Sequence, residues 1–157
     1  MESKEIERKF LVKDDSYKKA SFSSDRIVQG FLSTVPERTV RIRISDQKGF
    51  ITVKGLGNAS GTTRFEWEKE LDIVEAENLL RICEPGKIEK IRYLIKSDSH
   101  IFEVDEFLSE NQGLVIAEVE LKNEQESFTK PKWLGPEVTG QAKYYNSSLV
   151  KNPFNKW

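Results

Sequence analysis

The sequence predicts a mainly β fold, a closed or nearly closed antiparallel barrel with a few helices packed outside it. Apolar and polar residues alternate with a period of two through eight short segments, which is typical of half-buried strands. Most connections between the segments are short, which favours antiparallel neighbours. The predicted strands are Glu5–Val12, Arg26–Ser33, Thr39–Ser45, Gly49–Gly55, Arg64–Asp72, Ile88–Lys96, His100–Phe107 and Leu114–Lys122.

Turns and helices fill the remaining chain. Hairpin turns are predicted at residues 46–49 and 97–99. The helical spacing of Ala76, Leu79, Leu80 and Cys83 predicts a helix from Val74 to Cys83, which Pro85-Gly86 terminates. We expect a short helix after Asp14 and another that begins near Thr139 or Gln141 and runs towards Val150.

Length and composition indicate one folded domain over residues 1–157. The 25 basic and 26 acidic side chains nearly cancel, which argues against nucleic-acid binding through bulk charge. The single cysteine excludes an intrachain disulfide, and neither a signal peptide nor a membrane helix is recognisable. We therefore expect a cytoplasmic protein without a membrane partner.

Charges of one sign recur on single strand faces. Strand residues two apart share a face, so Arg41 lies beside Arg43, and Glu118 beside Glu120. The same spacing groups Glu5 and Glu7 with Lys9, Glu66 with Glu68, Lys90 with Arg92, and Glu103 with Asp105. Like charges on one face repel each other unless counter-charges or a bound ion lie between them.

Two interpretations of these rows remain open at this stage. They are either the solvated faces of ordinary antiparallel sheets, or the lining of a ligand site. Carboxylates without His or Cys suit a hard cation such as Mg²⁺ or Mn²⁺. Rows of Arg and Lys suit phosphate oxygens. Both sets in one barrel would bind a metal and a polyphosphate together.

Other chemistry finds little support. His100 is the only histidine and is interpreted as a strand-end residue, while Cys83 lies on an apolar helix face. The glycine-rich stretch at residues 54–61 lacks the ending of a phosphate-binding loop and is interpreted as a strand connection. For Phe65, Trp67 and Tyr93, packing in the core is favoured over stacking on bases.

Several segments resemble the CYTH superfamily, also called the triphosphate tunnel metalloenzymes, in the order in which that family carries them. The resemblance begins with its N-terminal Glu-x-Glu-x-Lys signature at residues 5–9 and covers nearly the whole chain. The further matching segments are residues 29–32, 41–43, 52–55, 64–70, 90–93, 103–105, 117–120, 133–139 and 143–146.

The resemblance implies an eight-stranded tunnel in which one or two divalent cations, Mg²⁺ or Mn²⁺, activate a bound triphosphate. It implies that the main metal ligands are Glu5, Glu7, Glu118 and Glu120, and that Glu66, Glu68 and Asp105 are further ligands or hold metal-bound water. It implies phosphate binding by Lys9, Arg41, Arg43, Lys54, Lys90 and Arg92, with Lys143 closing one end. Lys9, Glu7 and Glu120 are the expected catalytic residues. Short chains of this kind resemble inorganic tripolyphosphatases, some of which are homodimers.

One position departs from the family pattern. Many members have Tyr where this chain has Phe31, and that Tyr is thought to act with the signature lysine on the nucleophile. Phe31 has no hydroxyl group with which to do so.

The sequence therefore predicts metal-dependent hydrolysis of inorganic tripolyphosphate or a nucleoside triphosphate. The alternatives are a class IV-type adenylyl cyclase, which converts ATP to cyclic AMP and pyrophosphate, and a non-catalytic binder of polyphosphate or nucleotides. An ordinary β-domain would instead expose Lys90, Arg92, Glu118 and Glu120 on a convex surface.

Overall fold

The computed structural model describes residues 4–157 and contains all eight predicted strands. The strands are β1 Lys4–Val12, β2 Ser23–Ser33, β3 Arg38–Ser45, β4 Lys48–Gly55, β5 Thr63–Leu71, β6 Ile88–Ser97, β7 His100–Phe107, β8 Val115–Glu120 and β9 Leu134–Glu137. The α-helices are α1 Tyr17–Ala20, α2 Ile73–Arg81 and α3 Asn146–Leu149. Short 3₁₀ turns occupy Ser109–Asn111, Ala142–Tyr144 and Phe154–Lys156. Within residues 4–157 there is no helix whose length and apolarity would let it cross a membrane.

The sheet closes on itself through β1. The strands follow the order β5-β4-β3-β2-β6-β7-β8-β1, and β5 pairs with β1 to complete an antiparallel barrel of eight strands. The first residues of β1, Lys4–Ile6, pair with β5, whereas Glu7–Leu11 pair with β8. This arrangement confirms the predicted barrel and leaves it without an open edge between β1 and β5.

Short turns join several strands, as the sequence predicts. Asp46 and Gln47 connect β3 to β4 with φ angles of 45° and 68°, which is the left-handed pair that a two-residue hairpin requires. Asp98, between β6 and β7, also has a positive φ of 53°. Asp46 and Asp98 suit these positions, because Asp adopts the left-handed region of φ more readily than most non-glycine residues.

The barrel carries its charged residues inside and much of its apolar core outside. An outer cluster packs against β1, β6, β7 and β8; it consists of Ile6, Phe10, Tyr17, Ile95, Phe102, Val104, Ala117, Val119, Leu121, Trp133 and Leu134. The segment around α1 and the chain from Leu121 to Leu134 supply the residues that cover these strands. Tyr93 also packs against the outer cluster, in agreement with its predicted core position.

A second apolar cluster, the end cluster, closes one end of the lumen. It consists of Phe31, Ile88, Phe107, Leu114, Ile116, Val138, Tyr144, Leu149 and Val150. Phe107 lies two residues after Asp105, and Ile116 lies two residues before Glu118, so both apolar side chains share the face of the barrel wall that carries these acids. The C-terminal segment packs onto this end and completes the cluster.

The predicted core packing of Phe65 and Trp67 is wrong. Phe65 is 50% exposed and Trp67 is 43% exposed. Both lie on the outer face of β5, whereas α2 contacts β2, β3 and β4. Because this outer face stays about half-exposed, the alternation of β5 puts charged side chains inside the barrel and leaves the aromatic rings partly in solvent.

The C-terminal region also differs from its prediction. In place of one helix, the 3₁₀ turn Ala142–Tyr144 and α3 are separated by Tyr145, whose φ of −71° and ψ of 138° are extended. The short strand β9 was not predicted, because Gly135 and Pro136 are unfavourable inside strands. It pairs with the end of β1, at Phe10 and Val12.

Two glycines bring the C-terminal segment against the β4–β5 connection. Gly61 and Gly140 both have left-handed φ angles, 74° and 78°. A Cβ atom at Gly61 would lie 2.4 Å from the Gly140 Cα atom, which is a severe overlap. The close approach of these two backbones therefore depends on glycine.

We expect Gly61→Ala to lower the free energy of unfolding by about 2 kcal/mol, from the left-handed backbone and the steric overlap together. Urea denaturation measures the change. Gly57→Ala is the matched control in the same connection, because a Cβ there would make an ordinary contact of 3.8 Å with Gly61. Equal losses in the two variants would contradict the proposed contact.

Candidate active site in the barrel lumen

The lumen holds a cavity of about 160 Å³ that charged side chains surround. Every predicted site residue except Asp105 and Lys143 lines it. The lining consists of Glu5, Glu7, Lys9, Phe31, Thr39, Arg41, Arg43, Thr52, Lys54, Arg64, Glu66, Glu68, Lys90, Arg92, Glu103, Glu118, Glu120, Tyr145, Asn146 and Ser147. The charged faces therefore point into an enclosed space, and the alternative of an ordinary β-domain with an outward charged face is wrong.

Three arginines form the basic part of the lumen. The side chains of Arg41, Arg43 and Arg92 are only 14–16% exposed. Burial, then Arg41 and Arg92, lowers the pKa of Arg43 to about 10, and burial and Arg92 also lower the pKa of Arg41. The Nε atoms of Arg41 and Arg43 are buried without a hydrogen-bond partner among the described residues. Both arginines line the lumen, where a bound anion would supply acceptors for their guanidinium groups.

Glu68 provides partial compensation for two of these arginines. Its Oε1 atom lies 3.4 Å from Arg41 Nη2 and 3.3 Å from Arg43 Nη2, and it accepts a hydrogen bond from Thr52 at 2.7 Å. One carboxylate thus faces two guanidinium groups. The local charge remains positive.

Asp105 lies behind the lining and binds two of its cations. Its carboxylate accepts hydrogen bonds from Arg92 Nε at 2.8 Å and Arg92 Nη2 at 3.0 Å, while Lys90 Nζ lies 2.8 Å away. Burial alone would raise the pKa of Asp105, but Arg92 and Lys90 lower it to about 2. The expectation that Asp105 binds metal is not supported by this position, because both of its oxygens are already engaged by cations.

Glu5 is likewise engaged by basic groups. It is 6% exposed, and its Oε1 accepts hydrogen bonds from Lys54 Nζ at 2.7 Å and Arg64 Nε at 3.0 Å. Burial would raise the pKa of Glu5, but Lys54 and Arg64 hold it well below its usual range. Neighbouring Glu66 has its pKa raised to about 7 by burial and by Glu5.

A second set of carboxylates crowds together where β1 meets β8. Glu7 lies directly opposite Glu120 in the register, and Lys9 lies opposite Glu118. Burial, then the charges of Glu118 and Glu5, raises the pKa of Glu7 well above its ordinary value. The interaction between the two side chains shifts them in opposite directions, since it raises the pKa of Glu7 further and, together with Lys9, helps to lower the pKa of Glu118.

The chemistry of this set fits a hard cation. Carboxylate oxygens are the preferred ligands of Mg²⁺ and Mn²⁺, and a divalent cation would offset the repulsion among the crowded carboxylates. No group of three acidic, His or Cys side chains among residues 4–157 already stands close enough to hold a metal. Ligation by Glu7, Glu118 and Glu120 would therefore need a shift of side-chain rotamers.

Lys143 does not reach the lumen, contrary to its expected role in closing one end. Its side chain is exposed, and its Nζ atom stands 4.6 Å from the Trp157 ring and 5.1 Å from the Tyr144 ring. The chain is extended at Tyr145, and the three side chains that line the cavity from this segment are Tyr145, Asn146 and Ser147.

Asn146 joins the C-terminal segment to the wall of the barrel. Its Oδ1 atom accepts hydrogen bonds from Lys90 Nζ at 2.9 Å and Gln29 Nε2 at 2.8 Å. Lys90 is 1% exposed, and burial lowers its pKa to about 8 even though Asp105 opposes the shift.

Sequence reasoning omitted several lining residues. Arg64 and Glu103 could have been included by the alternation that selected Glu66 and Asp105 on the same strand faces. Tyr145, Asn146 and Ser147 belong to an irregular segment in which no periodicity indicates direction.

Asp105→Asn should lower the free energy of unfolding by about 3 kcal/mol, because it leaves Arg92 and Lys90 buried beside an uncharged amide. Urea denaturation near neutral pH measures this loss. Glu106→Gln is the matched control on the opposite strand face, where partly exposed Glu106 pairs with exposed Lys18 and the change should cost less than about 1 kcal/mol. Equal stability of Asp105→Asn and wild type would contradict the network.

The same variant gives a pH test. Because the pKa of Asp105 is lowered from 3.8 to about 2, its stabilisation is complete above its unfolded-state pKa and disappears as pH falls through the folded-state value. The stability difference between wild type and Asp105→Asn should therefore narrow between about pH 4 and about pH 2. A difference that stays constant over this window would exclude Asp105 as its source.

Known proteins resemble this chain over nearly its full length. An inorganic triphosphatase from Acetivibrio thermocellus is 45% identical over 155 residues, which cover 98% of this chain and 97% of the relative. An inorganic triphosphatase from Nitrosomonas europaea is 35% identical over 151 residues, which cover 93% and 96% of the two chains.

A solved structure agrees with these sequence matches. The crystal structure of an inorganic triphosphatase superposes with a TM-score of 0.66 at 31% identity, over 92% of this chain and 96% of that one. Residues 3–151 match the CYTH domain family. The closed barrel, its charged lumen and these matches agree, and the chain belongs to the CYTH domain family.

Proposed function

We propose that this protein hydrolyses a triphosphate bound in the barrel lumen, with inorganic tripolyphosphate as its substrate. The two relatives named inorganic triphosphatase support this activity, because they match almost the whole chain. The cytoplasmic location expected from the sequence remains a prediction, as does the homodimer that the family resemblance suggests.

The observation that carries the proposal is the cluster of three guanidinium groups in the lumen, two of which keep a buried hydrogen-bond donor without a partner among the described residues. Arg41 and Arg43 line the cavity, and each has a buried Nε donor that no described residue accepts from. Arg92, which Asp105 and Glu103 engage, adds a third guanidinium to the same lining. Guanidinium groups bind phosphate oxygens with two hydrogen bonds at once. A chain of phosphates would satisfy several such groups simultaneously.

The composition of the lining favours an inorganic substrate. Apart from Phe31 and Tyr145, every side chain that lines the cavity is charged or carries a hydroxyl or amide group. Sites for organic ligands are mostly lined by apolar and aromatic side chains. A nucleobase would find little apolar surface in this lumen, whereas tripolyphosphate presents only charged oxygen atoms.

The carboxylates opposite the arginines suit a divalent cation. Glu7, Glu118 and Glu120 would hold Mg²⁺ or Mn²⁺, since all three offer oxygen ligands at the lumen surface. The cation, when bound, would supply positive charge to the phosphate oxygens and favour an ionised nucleophile. Bringing cation and polyphosphate together would neutralise the carboxylate and arginine rows at the same time.

The reaction assigned to the site is in-line attack of water on a terminal phosphoryl group. Charge moves onto the phosphate oxygens as the bond to the leaving pyrophosphate lengthens. Arg41, Arg43 and Arg92 offset this charge, and Lys9 and Lys90 place further cations at the same cavity. Because these groups are buried and fixed before substrate binds, their reorganisation costs little during the reaction.

Phosphate release should be fastest from tripolyphosphate when tripolyphosphate, thiamine triphosphate, ATP and GTP are each supplied with Mg²⁺ or Mn²⁺. Each turnover of tripolyphosphate should yield one orthophosphate and one pyrophosphate. Cyclic AMP with pyrophosphate from ATP would instead identify a cyclase. Tight binding of tripolyphosphate with no product under either metal would identify a non-catalytic binder.

Glu7→Gln should lower kcat for tripolyphosphate at least about 100-fold, since the amide keeps the shape of the side chain but cannot ionise to become an anionic ligand of the cation. Glu70→Gln is the matched control, because Glu70 is exposed and lies outside the cavity lining. A folded Glu7→Gln protein with wild-type turnover would exclude Glu7 from catalysis.

A further inference from the structure

Lys9 occupies an unusual position for a buried cation. It is 6% exposed, yet its one ion pair among residues 4–157 is with Glu118, whose Oε1 lies 3.7 Å from the Lys9 ammonium. That separation is longer than a hydrogen bond. The ammonium therefore keeps N–H donors available while it faces the lumen.

The aromatic ring of Tyr145 stabilises the Lys9 ammonium, which has no carboxylate from residues 4–157 at hydrogen-bond distance. The Lys9 Nζ atom stands 5.1 Å from the centre of the Tyr145 ring, within the range of a cation–π contact. The Arg64 guanidinium lies 5.7 Å from the same centre. A ring face attracts the ammonium without accepting its N–H donors, whereas a carboxylate at hydrogen-bond distance would occupy them.

The backbone fixes Tyr145 in this place. Its amide donates to the Ala142 carbonyl at 2.9 Å, and its carbonyl accepts from the amides of Ser148 and Leu149, each at 2.9 Å. The preceding ring, Tyr144, points the other way into the end cluster. Tyr145 is thus held from both sides while its ring projects towards the lumen.

Tyr145 also stands between two spaces. It lines the main cavity and a second, smaller cavity of about 30 Å³, and Lys9 borders both. Gly61 and Gly140 form part of the smaller cavity's wall. The ring therefore limits the directions in which the lysine side chain can move.

We propose that Tyr145 is a positioning residue that acts through Lys9: its ring face holds the ammonium over the lumen with its donors free for the substrate. This inference rests on the proposed hydrolysis of tripolyphosphate. Phe31 lines the cavity without a hydroxyl group, and no hydroxyl is required of Tyr145, since the ring face makes the contact.

Steady-state hydrolysis of tripolyphosphate tests the proposal with paired substitutions. Tyr145→Leu removes the ring face and should lower kcat about tenfold, with a much smaller change in KM. Tyr145→Phe keeps the ring and should retain wild-type kcat. Tyr144→Leu, the control for disturbance of the C-terminal segment, should lower thermal stability but leave kcat per folded molecule unchanged.

The double variant asks whether the ring acts through the lysine. In a Lys9→Gln background, where the ammonium is absent, Tyr145→Leu should cause no further loss of kcat. Tyr145→Gln replaces Tyr145→Leu in both backgrounds if the leucine variant unfolds. The proposal would be overturned if Tyr145→Leu lowered kcat by the same factor in the wild-type and Lys9→Gln backgrounds. It would also be overturned if Tyr145→Leu had the kcat of wild type.

The two levels of inference fail in different ways. Absence of phosphate release by the wild-type protein would overturn the proposed function and this inference with it. Release by wild type at a rate that no Tyr145 substitution alters would overturn this inference alone.

Discussion

Enclosure of like charges in one lumen is the constraint on which the rest of this structure depends. Arg41, Arg43 and Arg92 lie together at low exposure, and burial, reinforced by their mutual repulsion, lowers the pKa of Arg43. Among the carboxylates, burial and the nearby charges of Glu118 and Glu5 raise the pKa of Glu7 well above its usual range. Such an arrangement costs folding free energy, which the protein tolerates because the closed sheet and its apolar exterior hold the walls together.

The charged interior also determines where the hydrophobic core must lie. A barrel whose inner face is polar has to bury its apolar face on the outside, so the segment around α1, β9 and the C-terminal residues cover the wall. The outer face of β5 is less covered, and its Phe65 and Trp67 side chains remain exposed. The C-terminal segment contributes to both layers, because Tyr144 packs in the end cluster while Tyr145 reaches the lumen.

The sequence predicts the eight strands and most of the lining, because two-residue alternation states directly which side chains share a face. It does not tell which face is enclosed, and hence misplaces Phe65 and Trp67. Alternation also cannot distinguish a side chain at the cavity surface from one buried in the wall behind that surface. The sequence therefore groups Asp105 with the metal ligands, although its carboxylate is bound by Arg92 and Lys90. Irregular segments escape periodicity, which explains why Lys143 rather than Tyr145 was selected.

The most direct test of the central claim is diffraction from crystals grown with Mn²⁺ and an imido analogue of tripolyphosphate, using the anomalous signal of manganese to locate the metal. The account predicts manganese at Glu7, Glu118 and Glu120, with phosphates in contact with Arg41 and Arg43. Manganese and analogue bound only outside the lumen, with the arginine donors still unpartnered, would contradict it.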